Sequence, residues 1–123
     1  MNDKKPMTFP DSLRMKTPEE FKRVYDRKKS ASDGTIIVYA CENHFAHPRL
    51  GVSVSKKVGN AVERNRWKRL FREAFRLTQH ELPQGVDLIL IPKLGTDEPD
   101  FEALKASLVA LAQQAAKKLG PKP

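Results

Sequence analysis

Lys56-Lys57-Val58-Gly59-Asn60-Ala61-Val62-Glu63-Arg64-Asn65-Arg66-Trp67-Lys68-Arg69-Leu70-Phe71-Arg72-Glu73-Ala74-Phe75-Arg76 is the stretch around which the chain is organised. It carries eight basic residues (Lys56, Lys57, Arg64, Arg66, Lys68, Arg69, Arg72, Arg76) against two acidic ones, Glu63 and Glu73, a net of +6 where the whole chain of 123 residues has +8. The charge is therefore concentrated here rather than spread as a solubilising halo. Gly59-Asn60 is a turn signal, Asn60 is a helix cap, and Glu63 stands where the second arm of a capping box belongs. From there Trp67, Leu70, Phe71, Ala74 and Phe75 recur at helical spacing and predict a core-facing stripe. Asn65, Lys68, Arg69, Arg72 and Arg76 occupy another face, so the predicted helix has one apolar and one cationic side. Its first turn also offers unpaired backbone N–H groups suited to a phosphate.

A merely solvated helix face mixes signs through Glu–Lys pairs, and like charges one turn apart cost stability. A face this nearly one-signed points to a polyanion, with nucleic acid ahead of a membrane surface or an acidic protein.

The rest of the chain sets bounds on that reading. Its length suits one domain with a single modest core. Hydrophobic residues make up 39% and charged residues 31%, a soluble globular balance, and no apolar run approaches the roughly 18 residues of a membrane span. There is no signal-peptide pattern at the N-terminus. The single cysteine, Cys41, excludes an internal disulfide and fits a reducing compartment, so the cytoplasm is the expected location.

Residues 1–12 are polar, with Pro6 and Pro10, and read as a flexible tail; residues 13–120 read as one nucleic-acid-binding domain. Thr17-Pro18-Glu19-Glu20 is a helix start with Thr17 as cap and Glu20 closing a box. The helix runs to about Lys28 with Phe21, Val24 and Tyr25 on its apolar face. Phe21 and Tyr25 stand one turn apart and have two compatible readings, core packing and a stacking platform for unpaired bases. Asp33-Gly34 signals a turn, and Thr35 to Cys41 is a β-branched strand. His44 and His47 lie in the following loop, too few ligands for a metal site. Arg49 to Ser55 alternates, with Leu50, Val52 and Val54 on a packing face and Gly51, Ser53 and Ser55 on a small polar one that leaves room for a ligand backbone. Lys56 and Lys57 end that strand. Val86 to Ile91 reads as a buried strand. Asp100 caps a last helix whose stripe is Phe101, Leu104, Leu108, Leu111, Ala115 and Leu119, stopped by Gly120-Pro121. The order predicts an α+β sandwich, helices on a small sheet.

The run Arg49-Leu-Gly-Val-Ser-Val-Ser-Lys-Lys-Val-Gly-Asn-Ala-Val-Glu-Arg-Asn-Arg-Trp-Lys-Arg-Leu-Phe-Arg-Glu-Ala-Phe75 resembles the signature of the bacterial ribonuclease P protein component. The hallmark Arg-Asn-Arg falls on Arg64, Asn65 and Arg66, and the preceding Ser-Lys-Lys-x-Gly-Asn-Ala-Val on Ser55 to Val62. Weaker similarity extends from Leu13 to Leu119. The resemblance implies the order αβββαβα, with a short extra strand near Ser30-Ala31-Ser32, and a fold like domain two of ribosomal protein S five. It also implies a left-handed βαβ crossover, where pattern alone favours the right-handed form found in about 98% of cases.

Its functional implications are equally specific. The protein would be a subunit of ribonuclease P, an endoribonuclease in which a large RNA performs the hydrolysis with Mg²⁺ at the RNA active site; no metal is expected on this chain. Arg64, Asn65, Arg66, Lys68, Arg69, Arg72 and Arg76 would bind that RNA. Phe21, Tyr25, Lys56, Lys57 and Lys93 would bind the single-stranded 5′ leader of precursor tRNA. Lys93 and Leu94 stand where the family carries an arginine and often a second basic residue, which removes the two-pronged guanidinium. No membrane or DNA partner is expected. The rival reading is a ribosomal or other structural RNA-binding protein with no part in tRNA processing.

Overall fold

The computed structural model describes residues 11–120. Of the expected flexible tail, residues 1–10 lie outside the described residues, whereas Asp11–Leu13 forms a 3-10 turn that buries Leu13. The elements follow as α1 (Pro18–Arg27), β1 (Ser30–Ser32), β2 (Ile36–Glu42), β3 (Arg49–Val52), α2 (Ala61–Thr78), β4 (Val86–Pro92) and α3 (Phe101–Lys117). The expected order αβββαβα is therefore observed, including the short strand at Ser30–Ser32.

The sheet is mixed, with strand order β1-β2-β4-β3. β2 pairs antiparallel with both β1 and β4, while β3 runs parallel to β4 in the register Arg49 opposite Asp87 and Gly51 opposite Ile89. Because β3 and β4 are parallel, the chain must cross from one end of the sheet to the other between them, and α2 makes that crossing.

Alternation along the strands divides the core in two. On one face Ile36, Val38 and Ala40 of β2, Leu50 of β3 and Leu88 and Leu90 of β4 meet Trp67, Phe71, Ala74 and Phe75 of α2 and Leu104, Leu108, Leu111 and Ala115 of α3. The predicted stripes of both helices are thus core stripes, and Trp67 lies against Phe71 with ring centroids 5.5 Å apart. On the opposite face Met15, Val24, Cys41 and Ile89 form a smaller cluster, edged by the partly buried Phe21, Tyr25, Tyr39 and Ile91. Two helices cover the first face and a single short one covers part of the second.

β3 is shorter than its alternation predicts. Ser53 N–H still donates to Leu90 O at 3.0 Å, but the chain then turns into a 3-10 turn at Lys56–Val58, where Ser55 Oγ accepts from the Lys57 N–H at 3.1 Å. That turn delivers the chain to Asn60, whose side chain accepts from Glu63 N–H at 2.9 Å while Glu63 accepts from Asn60 N–H at 2.8 Å. The capping box expected from Asn60 and Glu63 is complete. Replacing Asn60 by Ala removes one arm and is expected to destabilise the protein by about 1 kcal/mol, read as a lower urea midpoint at unchanged slope.

Candidate nucleic-acid interface

The outer face of α2 presents Asn65, Arg66 and Arg69 to solvent, with Lys68 and Arg72 half-exposed beside them. Arg64 bends back and donates from Nη1 to Gly59 O at 2.8 Å, bracing the turn that launches the helix. Arg66 Nη1 lies 3.3 Å from Glu98 of the β4–α3 loop. Both partners are exposed, so this pair holds little energy and a stronger anion displaces it.

Arg76 departs from the expected face. It is 8% exposed and its guanidinium pairs with Glu73, Nη2 to Oε1 at 2.5 Å. The reason is local: Phe75 and Thr78 are also buried, so the last turn of α2 is enclosed on more sides than the first. Arg72 gains an unforeseen neighbour. Burial pulls its pKa down, and the charge of Arg14 adds to the effect. Arg14 follows the N-terminal turn and bridges to Leu50 at the β3 edge, so the N-terminal segment adds a cation to this surface.

The second surface is the half-covered face of the sheet. α1 lies across the strands: Phe21 sits over β3, Arg23 reaches β4 and Arg27 reaches β2. Phe21 packs so closely that a Cβ on Gly51 would lie 2.8 Å from its ring. The small polar face expected to admit a ligand backbone is therefore closed at Gly51, where the Phe21 ring fills the space. Tyr25 stands edge-on to Tyr39 of β2 with centroids 5.1 Å apart. Beyond this aromatic row Ile37, Ile91 and Ser53 remain half-exposed as a floor. Lys56 and Lys57, both exposed, follow the end of β3, and Lys93 follows the neighbouring end of β4, its N–H donating to Thr35 O at 2.9 Å. The tertiary structure thus brings Phe21 and Tyr25 to one side of an open strip and Lys56, Lys57 and Lys93 to the end of it.

The covered end of the same face is held by charge. Asp87 has no solvent exposure. Its carboxylate accepts from Arg49 Nε and Nη2 at 2.8 and 2.7 Å, from Asn43 Nδ2 at 2.8 Å, and from Arg23 of α1. Arg49 Nη1 also donates to Glu20 at 2.9 Å. Hydrogen bonds from the Lys16 and Thr17 N–H groups, joined by Arg49 and outweighing burial, hold the Glu20 carboxyl at about 2. The Arg27 fork holds Glu42 at about 2 in the same manner. Near Lys93, burial raises Asp33, but N–H groups of Ile36 and Thr35, the Ser107 hydroxyl and the Lys93 charge together carry it below the ordinary range.

Three of these features escaped the sequence reading. Tyr39 was available from alternation, which sets it beside Cys41 and Ile37 on the α1 face. Asp87 was signalled by being the only charge in an apolar strand, since a buried carboxylate demands partners. Arg14 carried no signal, because only packing brings it to Arg72. His47 stacks on Phe45 at 5.3 Å. Among the described residues no three His, Cys, Asp or Glu side chains are grouped to hold a metal ion, and no helix is long and apolar enough to cross a membrane.

A carboxyl depressed by the fold stabilises it above its ordinary pKa, and that stability is lost as pH falls through the folded value, because the unfolded chain then binds more protons. Stability is therefore expected to fall between about pH 4.5 and about 2 as Glu20 protonates. Glu20→Gln is expected to flatten the curve in that window, as read from urea midpoints at a series of pH values.

A sequence model described as Ribonuclease P matches residues 9–116. The ribonuclease P protein component of Clostridium botulinum (strain Loch Maree / Type A3) is 42% identical over 98 residues, covering 79% of this chain and 88% of the relative. That of Escherichia coli O139:H28 is 42% identical over 106 residues, 85% of this chain and 88% of the relative. Among solved structures, a Staphylococcus aureus RNase P protein mutant with defective mRNA degradation activity superposes with a TM-score of 0.75 at 34% identity, covering 85% of this chain and 89% of that one. The RNase P protein from Thermotoga maritima does so with a TM-score of 0.74 at 29% identity, covering 81% and 94%. With the motif, the fold and relatives of nearly equal length in agreement, this chain belongs to the family of ribonuclease P protein components.

Proposed function

We propose that this protein binds the RNA subunit of ribonuclease P through the basic face of α2 and holds the single-stranded 5′ leader of precursor tRNA along the half-covered face of the sheet, so that the leader is removed to give the mature 5′ end. The observation that carries the reading is the aromatic strip of Phe21, Tyr25 and Tyr39 left open beside Lys56 and Lys57. An unpaired strand offers base faces and a phosphate row, and a strip of rings ending in lysines matches both.

On α2, Arg66, Lys68, Arg69 and Arg72 take phosphates as positioning contacts, with Asn65 available as a hydrogen-bonding neighbour. Arg64 holds the turn that aims the helix. Arg76 leaves the contact set because it is buried against Glu73. In the cleft Phe21 and Tyr25 stack on bases, while Lys56, Lys57 and Lys93 lower the repulsion between the leader and the RNA subunit. Lys93 supplies a point charge rather than a guanidinium fork. Hydrolysis belongs to the RNA subunit with its Mg²⁺, and no residue of this chain is given a catalytic role. By neutralising phosphates the protein would tighten substrate binding and lower the Mg²⁺ that cleavage requires.

The test is cleavage of precursor tRNA by the cognate RNA subunit at low Mg²⁺, with no protein, with this protein, and with the variant Arg66→Ala/Lys68→Ala/Arg69→Ala. The protein is expected to restore cleavage and the variant to fail. The variant's binding to the RNA subunit should lose salt dependence by about 0.7 to 0.9 in log–log slope per missing contact. Binding with no effect on cleavage would leave a structural RNA-binding protein as the better reading.

A further inference from the structure

We propose that Asp87 is a positioning residue for single-strand binding: by drawing Arg23 of α1 and Arg49 of β3 onto one buried carboxylate, it sets the spacing between the aromatic row of α1 and the floor of the cleft. The proposal rests on the reading of that cleft as the leader site.

Packing alone leaves α1 weakly held. It has ten residues, and Val24 is its one fully buried side chain. Phe21 and Tyr25, the residues that matter for stacking, are only half-buried, and apolar contact without direction allows a short helix to roll or slide over a sheet. Hydrogen bonds to charged groups are directional and short, and they fix a register that apolar contact does not.

The network supplies those bonds on α1 at two points either side of Phe21. Glu20 accepts from Arg49 Nη1 at 2.9 Å. Arg23 donates to Asp87 and also, from Nη1, to Glu42 O at 2.5 Å and Cys41 Sγ at 3.2 Å. Asp87 unites the two because Arg49 bonds both its oxygens, Nε to Oδ1 at 2.8 Å and Nη2 to Oδ2 at 2.7 Å. Asn43 Nδ2 completes Oδ1 at 2.8 Å, tying in the β2–β3 loop. Removing the carboxylate cuts the tie of Arg23 to β4, leaving it only Glu42 O and Cys41 Sγ on β2, and leaves Arg49 held by Glu20 and the Phe45 ring. α1 then loses its register relative to β4, and the rings it carries lose theirs relative to Tyr39 and Ile91. The basic face of α2 is on the other side of the sheet and is not reached by this change.

The experiment uses the full chain assembled with ribonuclease P RNA. Affinity is measured for precursor tRNA bearing a leader and for the same tRNA without one, and separately for the RNA subunit. The variants are Asp87→Asn, Arg23→Gln and, as a reference for the cleft, Phe21→Ala. Asp87→Asn and Arg23→Gln are expected to reduce the leader-bearing to leaderless affinity ratio by roughly tenfold, the scale of one lost base stack, with the affinity for the RNA subunit unchanged. A general loss of folded protein would lower all three affinities together and leave the ratio alone. Should Asp87→Asn fail to fold, Arg23→Gln decides, because it leaves Asp87 bonded to Arg49 and Asn43. A wild-type ratio in folded Arg23→Gln, with the ratio reduced in Phe21→Ala, overturns the positioning role while the cleft reading stands. A wild-type ratio in Phe21→Ala as well overturns both.

Discussion

A carboxylate with no access to water sits near one end of the sheet, and the arrangement of an entire face depends on it. Burying Asp87 uncompensated would cost several kcal/mol, so its position in β4 is tolerable only with its donors in place. Those donors come from α1, the β2–β3 loop and β3, which are distant in sequence. Satisfying one side chain therefore aligns three segments. Glu20 shows the economy of the arrangement, since it serves both the cap of α1 and Arg49. An isolated arginine cluster would repel itself; two arginines shared between Asp87 and Glu20 do not.

The unequal covering of the sheet follows from chain length. A four-stranded sheet has two faces, and a domain of this size has few helices to spend on them. α2 and α3 close one face with large apolar side chains. α1 is too short to close the other and, lying across the strands, shields only the end where Asp87 is buried. The uncovered remainder is edged by aromatic rings and ends at lysines, while the opposite side of the molecule exposes the guanidinium face of α2. One sheet thus separates the two surfaces proposed to bind RNA, which differ in chemistry: rings and lysines on one side, arginines on the other. They approach each other at the turn Lys56–Val58, which links β3 to α2.

Local signals were legible wherever the deciding interaction is local. The boxes at Thr17–Glu20 and Asn60–Glu63 formed as their spacing predicts, and the stripes of α2 and α3 became core because a 3.6-residue period admits few other outcomes. Legibility failed where a distant element decides. Arg76 continues the basic spacing of α2 but is enclosed by the packed last turn. Gly51 promised open space that the Phe21 ring occupies. Ser53 to Ser55 kept the alternation of a strand, yet hydrogen bonding to β4 ends at the Ser53 N–H, leaving Ser55 as the cap of a turn.

By itself, then, the sequence determined which segments are helix and strand, where the positive charge is concentrated, and which apolar residues of α2 face inward, because caps, periods and charge runs act over a few residues. Only the tertiary structure decided that Asp87 gathers Arg23 and Arg49, that Tyr39 joins Phe21 and Tyr25, that Arg14 comes to Arg72, and that the described residues leave one half of a sheet face open. These depend on strand order and on the angle at which α1 crosses the sheet. Both are set by satisfying buried charge and apolar area between segments far apart in the chain, as Arg23 and Asp87 are at 64 positions, a balance that no local window contains.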